Sequence, residues 1–209
     1  MIAIDGPAGA GKSTVARALA SRLDLEYLDT GAQYRAVTFA ALQRGVDPDD
    51  VDRVARIARD MDLEVSERGV FVDGTDATVE IRGPEVTRAV SIVAANPDVR
   101  AELRRRQQAW AAERGGGVIE GRDIGSVVFP DARLKLYLTA SPEVRAGRRH
   151  REVLDLAYEE VAASIAERDA RDQGRDDSPL VADDDAVVID TSNRSVNEIV
   201  DDIISGHHL

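Results

Sequence analysis

Cysteine is absent from the 209-residue chain, which excludes disulfides, thiolate metal sites and cysteine nucleophiles together and fits a reducing compartment. Lysine is nearly absent as well: of 27 basic residues, 25 are Arg and only Lys12 and Lys135 are Lys. A lysine kept against that bias points to chemistry that a guanidinium does not perform. No apolar run approaches the roughly 20 residues that cross a bilayer, and Met1 leads straight into a strand-like segment instead of a signal peptide. A soluble, cytoplasmic chain is expected. Positive charge is scarce, with 39 acidic residues against 27 basic and a net charge of −12, so broad binding to nucleic acid or to an anionic membrane is not expected. Any anionic ligand must be held by local charge. What is present is a 43% hydrophobic complement, enough for a real core in one domain or one domain with an insert.

Met1-Ile2-Ala3-Ile4-Asp5 reads as a buried strand stopped by Gly6-Pro7, and the apolar positions Val15, Ala16, Leu19, Ala20 and Leu23 recur at helical spacing after it. A second strand is expected at Glu26–Leu28, a helix from Gly31 to Arg44 closed by Gly45, and a helix opened by Asp47-Pro48 and running to about Asp60. Leu63–Val65, Val70–Val72 and Val79–Ile81 alternate with polar residues around turn signals, which predicts a small antiparallel insert. Beyond it the pattern predicts a helix from Pro84 to Ala95, a long helix to Arg114 and strands at Val118–Ile119 and Leu134–Leu138. A helix opening at Ser141-Pro142, a charged helix over Tyr158–Gln173, a buried strand at Ala186–Ile189 and a helix over Ser195–Ile204 follow. The alternation predicts an α/β fold with a parallel sheet flanked by helices. Arg104–Arg106 and the group Arg145, Arg148, Arg149 and Arg151 read as solvated charge, Trp110 as core, and His207 and His208 as a disordered end.

Gly6-Pro7-Ala8-Gly9-Ala10-Gly11-Lys12-Ser13 fits G-x-x-x-x-G-K-[ST] between a strand and a helix. Glycines let backbone N–H groups turn toward phosphate oxygens, the helix N-terminus adds positive potential, Lys12 supplies a compact mobile charge, and the Ser13 hydroxyl suits Mg²⁺. The segment Gly6–Thr14 is therefore expected to bind ATP or GTP with magnesium. The loop alone leaves the reaction open between GTPase switch, motor ATPase and small-molecule kinase. No guanine-reading Asn-Lys-x-Asp segment is present. An apolar strand ending in an acid, as a motor ATPase would show, has one candidate in Val187–Asp190, which reads better as a strand followed by a solvated Asp190.

A kinase with a phosphorylated acceptor needs several Arg from different segments. Four clusters offer them: Asp29–Arg35, Ser91–Arg100, Gly121-Arg122-Asp123 and Arg168–Arg175. On spacing alone, Arg168, Asp172 and Arg175 share a helical face and read first as a surface ion-pair ladder. In their order and spacing GPAGAGKST, LDTGAQYR, SIVAANPDVR, GRDIGSVVFPDA and ERDARDQGR resemble the bacterial cytidylate kinases over nearly the whole chain. That resemblance implies a P-loop nucleoside monophosphate kinase with a core at about 1–60, 96–150 and 178–209, a CMP-binding insert at about 61–95 and a short helical lid at about 151–177. It implies transfer from ATP to CMP or dCMP, with Lys12, Arg122, Arg168 and Arg175 on the moving phosphoryl group. It also implies acceptor contacts from Thr30, where the family usually has Ser, and from Tyr34, Arg35, Ser91, Arg100, Arg122, Asp123, Arg168, Asp172 and Arg175. Asp123 would accept from the cytosine amino group. A monomer with small-molecule substrates, and no nucleic-acid or membrane partner, is expected. A P-loop kinase for another acceptor, such as shikimate or dephospho-coenzyme A, and a nucleotide-dependent switch remain open at this point.

Overall fold

The computed structural model describes residues 1–152, 157–175 and 177–208; within the expected lid, residues 153–156 and 176 lie outside them. In chain order the elements are β1 (Ile2–Asp5), α1 (Lys12–Leu23), β2 (Tyr27–Asp29), α2 (Thr30–Gln43), α3 (Val51–Asp60), β3 (Leu63–Ser66), β4 (Gly69–Val72), β5 (Thr75–Asp76), α4 (Pro84–Val93) and α5 (Pro97–Arg114). They continue with β6 (Val118–Glu120), β7 (Leu134–Thr139), α6 (Pro142–Glu152), α7 (Tyr158–Gln173), β8 (Val187–Asp190) and α8 (Val196–His207). The chain divides into two compact units, Met1–Tyr27 with Arg114–Leu209 and Leu28–Glu113. The second unit holds α2, α3 and most of α5 together with the segment 61–95.

A five-stranded sheet has the order β2-β6-β1-β7-β8, and β1 lies parallel to both β6 and β7. Every residue of β1 is buried, because it is the central strand, and its apolar run needs no alternation. Val15 and Leu19 of α1 and Ile199 and Ile203 of α8 pack on Ile2, Ile4, Leu136 and Leu138. Each such fully buried side chain contributes about 1.5–3 kcal/mol. β8 is an edge strand paired only to β7 on the sheet order. Its residues are half-buried or exposed, Val188 at 58%, so the expected buried strand is corrected. At an edge, one flank has no neighbour to cover it.

In the other unit α2 presents Ala36, Ala40 and Ala41 to a core with Val54, Ile57, Val72, Ile81, Val99 and Leu103. Three expectations change here. The third strand of the β3-β4-β5 sheet is Thr75–Asp76, not Val79–Ile81. Asp76 accepts from the Thr78 backbone N–H and hydroxyl at 3.0 and 2.6 Å, an Asx-type turn that ends the strand. Val79 is left exposed, and a 3₁₀ turn over Glu80–Arg82 buries Ile81. α3 begins at Val51 with Asp50, not Asp47, accepting from the Arg53 N–H at 3.1 Å. Arg106 is no solvated charge: it donates to the carbonyls of Ala58, Arg59 and Met61 at 2.9, 3.1 and 3.1 Å, satisfying the open C-terminal end of α3. Arg105 stays exposed and pairs with Glu102 at 2.7 Å. At the far end α8 runs to His207, so that histidine closes a helix, while Trp110 is only half-buried. Among the described residues no helix is long and apolar enough to cross a membrane.

Candidate active site

The loop Gly6–Gly11 joins the central strand to α1, and its shape depends on residues without side chains. Gly6 has φ +142° and a Cβ there would meet the Leu138 carbonyl oxygen at 2.0 Å; Gly9 has φ +74° and its Cβ would meet the Arg145 carbonyl oxygen at 2.9 Å. No side chain caps α1 at Gly11, so the first turn of the helix offers its N–H groups to an anion. Lys12 is 8% exposed and folds back, its Nζ donating to the Pro7 carbonyl at 2.9 Å. Burial, reinforced by Arg122 and Arg168 and opposed by Glu120 and Asp5, pushes its ammonium down to about 7. A desolvated ammonium in this state gains from an arriving phosphate.

Arginines fasten the outer wall of the loop, which corrects the reading of Arg145 and Arg148 as solvated. Arg145 donates to the carbonyls of Ala140 and Ala8 at 3.2 and 3.1 Å and pairs with Asp169. Asp169 in turn accepts from the Ala8 N–H at 3.2 Å. Arg148 donates to the Thr191 carbonyl at 2.7 Å and its hydroxyl at 2.9 Å, and the Thr191 hydroxyl donates to the Ala10 carbonyl at 2.9 Å. Arg149, by contrast, pairs with the exposed Glu152 at 2.7 Å, and Arg151 is exposed as expected.

A second group converges beside the loop. Arg122 donates through Nη1 to the Gly6 carbonyl at 3.0 Å and through Nε to Asp172 at 2.8 Å, and Arg175 also pairs with Asp172. Asp172 is 1% exposed, which rules out the surface ladder that spacing left open. Burial would raise its carboxyl, but Arg122, Arg175 and Arg168 outweigh it and hold the group below the usual carboxylate value. Burial pushes Arg168 down to about 10, with Arg122 adding to the effect and Asp172 opposing it. The result is three guanidiniums and one ammonium sharing a few carboxylates, a field suited to a polyanion. Asp123, also buried, precedes a π-helical turn over Ile124–Val128, in which the N–H groups of Val127 and Val128 both point to its carbonyl at 3.0 and 3.1 Å.

Thr30, Tyr34, Arg35, Ser91 and Arg100 lie on α2, α4 and α5 of the other unit. Thr30 starts α2, where Asp29 caps the helix by accepting from the Ala32 N–H at 3.0 Å. Arg35 donates to the Ile81 carbonyl and the Thr87 hydroxyl, both at 3.0 Å. Arg100, 2% exposed, lies 6.0 Å from the Tyr34 ring centroid, within cation–π range. Ser91 is buried on α4, and nearby in the sequence of α5 the Gln107 amide donates to Gln33 at 2.9 Å.

Sequence reasoning missed Asp5, Glu120, Asp169 and Thr191. Glu120 had a signal: it ends the apolar strand β6, which adjoins β1, whereas the acid-ended strand singled out in the sequence is β8, two positions from β1. Glu120 is 3% exposed and accepts from the Tyr27 hydroxyl. Asp190 is exposed and accepts from the Ser192 N–H at 2.8 Å, as a solvated strand end should.

Comparison with known proteins identifies the family. The family model described as cytidylate kinase matches residues 2–208. A bifunctional pantoate ligase/cytidylate kinase of Synechococcus sp. is 49% identical over 98% of this chain, which spans only 40% of that protein's length. Cytidylate kinases of Caldanaerobacter subterraneus and Bacillus cereus are 46% and 45% identical, over 96% and 98% of this chain and 91% and 94% of theirs. Among solved structures, an uncharacterized protein of Eubacterium ventriosum superposes with a TM-score of 0.54 at 13% identity over 99% of this chain and 97% of the other. A gluconokinase of Sinorhizobium meliloti gives 0.51 at 15% over 99% and 90%. These two likenesses speak for the fold alone. With the family model spanning nearly every residue and full-length relatives close to half identical, the chain belongs to the cytidylate kinase family.

Proposed function

We propose that the chain transfers the γ-phosphoryl group of ATP to CMP or dCMP, giving ADP and CDP or dCDP. An oxygen of the acceptor phosphate forms the new bond to the γ-phosphorus as the bond to the β–γ bridging oxygen breaks in line, without a covalent enzyme intermediate. The observation that carries the reading is the convergence of Lys12, Arg122, Arg168 and Arg175 beside the glycine loop, with Asp172 held between two of the guanidiniums. In this reading the loop from Gly6 to Thr14 binds the ATP phosphates, and Lys12, Arg122, Arg168 and Arg175 neutralise the transferring group.

Mg²⁺ fits the donor set. An ion arriving with the nucleotide would take the Ser13 hydroxyl, next to Lys12 at the start of α1, as one ligand and phosphate oxygens as others. When bound, it would neutralise phosphate charge. Arg35 would hold the acceptor phosphate, Thr30 and Tyr34 would contact the acceptor, and Ser91, Arg100 and Asp123 would read cytosine. A buried carboxylate at Asp123 suits an amino donor and disfavours the uracil carbonyl. Asp172 would take a sugar hydroxyl. The insert at about 61–95, the lid at about 151–177 and a cytoplasmic monomer with no nucleic-acid or membrane partner belong to the same proposal; the net charge of −12 supports its last part.

The test is ADP release with ATP and magnesium against CMP, dCMP, UMP, AMP, GMP, shikimate and dephospho-coenzyme A, with a no-acceptor control. Turnover with CMP and dCMP far above UMP is expected. Turnover with another acceptor alone would keep the loop assignment and overturn the acceptor reading.

A further inference from the structure

β1 ends on a carboxylate that no assigned role uses. Asp5 is 6% exposed, and its two oxygens are both committed: Oδ1 accepts from the Ile124 N–H at 2.8 Å and Oδ2 from the Gly125 N–H at 2.7 Å. Those two N–H groups open the π-helical turn that follows Arg122 and Asp123. The link runs the other way as well, because Arg122 donates to the carbonyl of Gly6, the residue after Asp5. The start of the phosphate loop and the Gly-Arg-Asp segment are thus cross-tied twice within two residues on either side. Asp123 sits between the ties, with its carbonyl engaged by Val127 and Val128.

We propose that Asp5 is a positioning residue: its bidentate grip on Ile124 and Gly125 sets Arg122 and Asp123 in register with the phosphate loop, and so aligns the groups that hold the transferring phosphoryl group and the acceptor base. The inference rests on the phosphotransfer reading above.

The choice of residue supports a functional role over a merely structural one. Desolvating a carboxylate is costly, and this one is kept buried with both oxygens on backbone N–H groups of one segment. Burial pushes Asp5 up to about 6, the hydrogen bonds from Gly125 and Ile124 pull it back, Asp123 opposes them and Lys12 assists. The strands on either side bring Glu120, opposite Ile4, and Tyr137, opposite Asp5. The fold therefore carries a charged group where a neutral one would be easier to bury, a pattern found where geometry for chemistry outranks stability.

Asp5→Asn tests this. Asn keeps the shape and one acceptor but turns an N–H toward one of the two backbone donors, so one tie is lost. With CMP and saturating ATP, kcat is expected to fall by about 10- to 100-fold, the scale of a misplacement near 1 Å, while KM for ATP stays within about twofold because the loop itself is intact. The preference for CMP over UMP is expected to narrow with it. Amide hydrogen exchange on the ligand-free protein gives a readout independent of turnover: the Ile124 and Gly125 amides should exchange faster in the variant, and loop amides should not. Asp5→Ser, with a smaller neutral acceptor, goes through the same assays if the Asn variant does not fold.

A folded variant with kcat within twofold of wild type overturns the proposal. So does an equal loss of kcat, ATP affinity and melting temperature, which a purely structural role predicts. If the wild-type chain itself fails to turn over CMP, the functional reading fails instead, and the exchange experiment still decides whether Asp5 holds the segment.

Discussion

Replacing Asp172 by Asn asks how the arginines beside the glycine loop are kept when no anion is bound. The carboxylate is 1% exposed and pairs with Arg122 at 2.8 Å and with Arg175, while Arg168 adds to the field that holds it ionised. Asn keeps the shape and one acceptor, but leaves those guanidiniums short of an anion. Removing one partner of a buried ion pair costs about 3–5 kcal/mol, and the retained acceptor argues for the lower end, about 3 kcal/mol. For a chain of this size that is a drop in melting temperature of roughly 6–12 °C. Because the Asp172 carboxyl is held below its ordinary value, its contribution is complete above pH ~4 and disappears only as pH falls through the lowered value. The gap between wild type and variant should therefore be constant from pH 5 to pH 8. Thermal unfolding followed by circular dichroism, with and without about 20 mM inorganic phosphate, completes the test. Phosphate supplies the missing anion in the variant, so it should raise the variant's stability by about 1 kcal/mol more than the wild type's, equivalent to some fivefold tighter binding. Equal stabilities, or equal rescue by phosphate, would refute the view of Asp172 as the resting counter-ion of the cluster.

Lys12→Met should abolish ADP release to below about 1% of wild type yet stabilise the ligand-free fold by a few kcal/mol, because burial holds the Lys12 ammonium down at about 7. That gain is full below pH 7 and fades as pH rises toward 10.5, which denaturant melts across the range will check. Asp123→Asn should cut the ratio of kcat/KM for CMP over UMP by about 10- to 100-fold, measured in the same ADP-release assay, with kcat/KM for UMP unchanged or higher. Arg106→Ala should lower stability by about 1–3 kcal/mol through the uncovered carbonyls of Ala58, Arg59 and Met61, read by chemical denaturation, and leave KM for ATP as it was.

The parts of the fold that can be read from the chain are those where one local pattern has one outcome. The strand, glycine loop and helix from Ile2 to Leu23 announce themselves by motif and by period, and Lys12 by its rarity. Arg168, Asp172 and Arg175 show why spacing alone is not enough: the same i, i+4, i+7 pattern describes an exposed ladder or a buried cluster, and only the neighbouring Arg122 decides between them. Arg106, Arg145 and Arg148 were unreadable for a related reason. Each counts backbone carbonyls among its partners, which every residue carries and no sequence pattern marks. Val79 misled because alternation was sound up to Asp76, where a side-chain turn took the hydrogen bonds a third full strand would have used. Glu120 was readable in principle, but choosing it over Asp190 needs the strand order, a long-range property.

The scarcity of lysine has a practical consequence. Both amino side chains are only 8% exposed: Lys135 is engaged at 2.7 and 2.9 Å by Asp183 and Asp185, which raise its ammonium above the ordinary value, and Lys12 sits in the loop with its ammonium lowered to about 7. At neutral pH an acylating reagent thus meets one lysine with a substantial share of free amine, and that lysine lies in the phosphate loop. Guanidiniums fasten much of the rest of the unit and are inert to such reagents. Once the mass added at the chain's α-amino group is assigned to its own peptide fragment, modification of the single Lys12 side chain becomes a gauge of whether the loop is occupied, without any label having to be engineered into the protein.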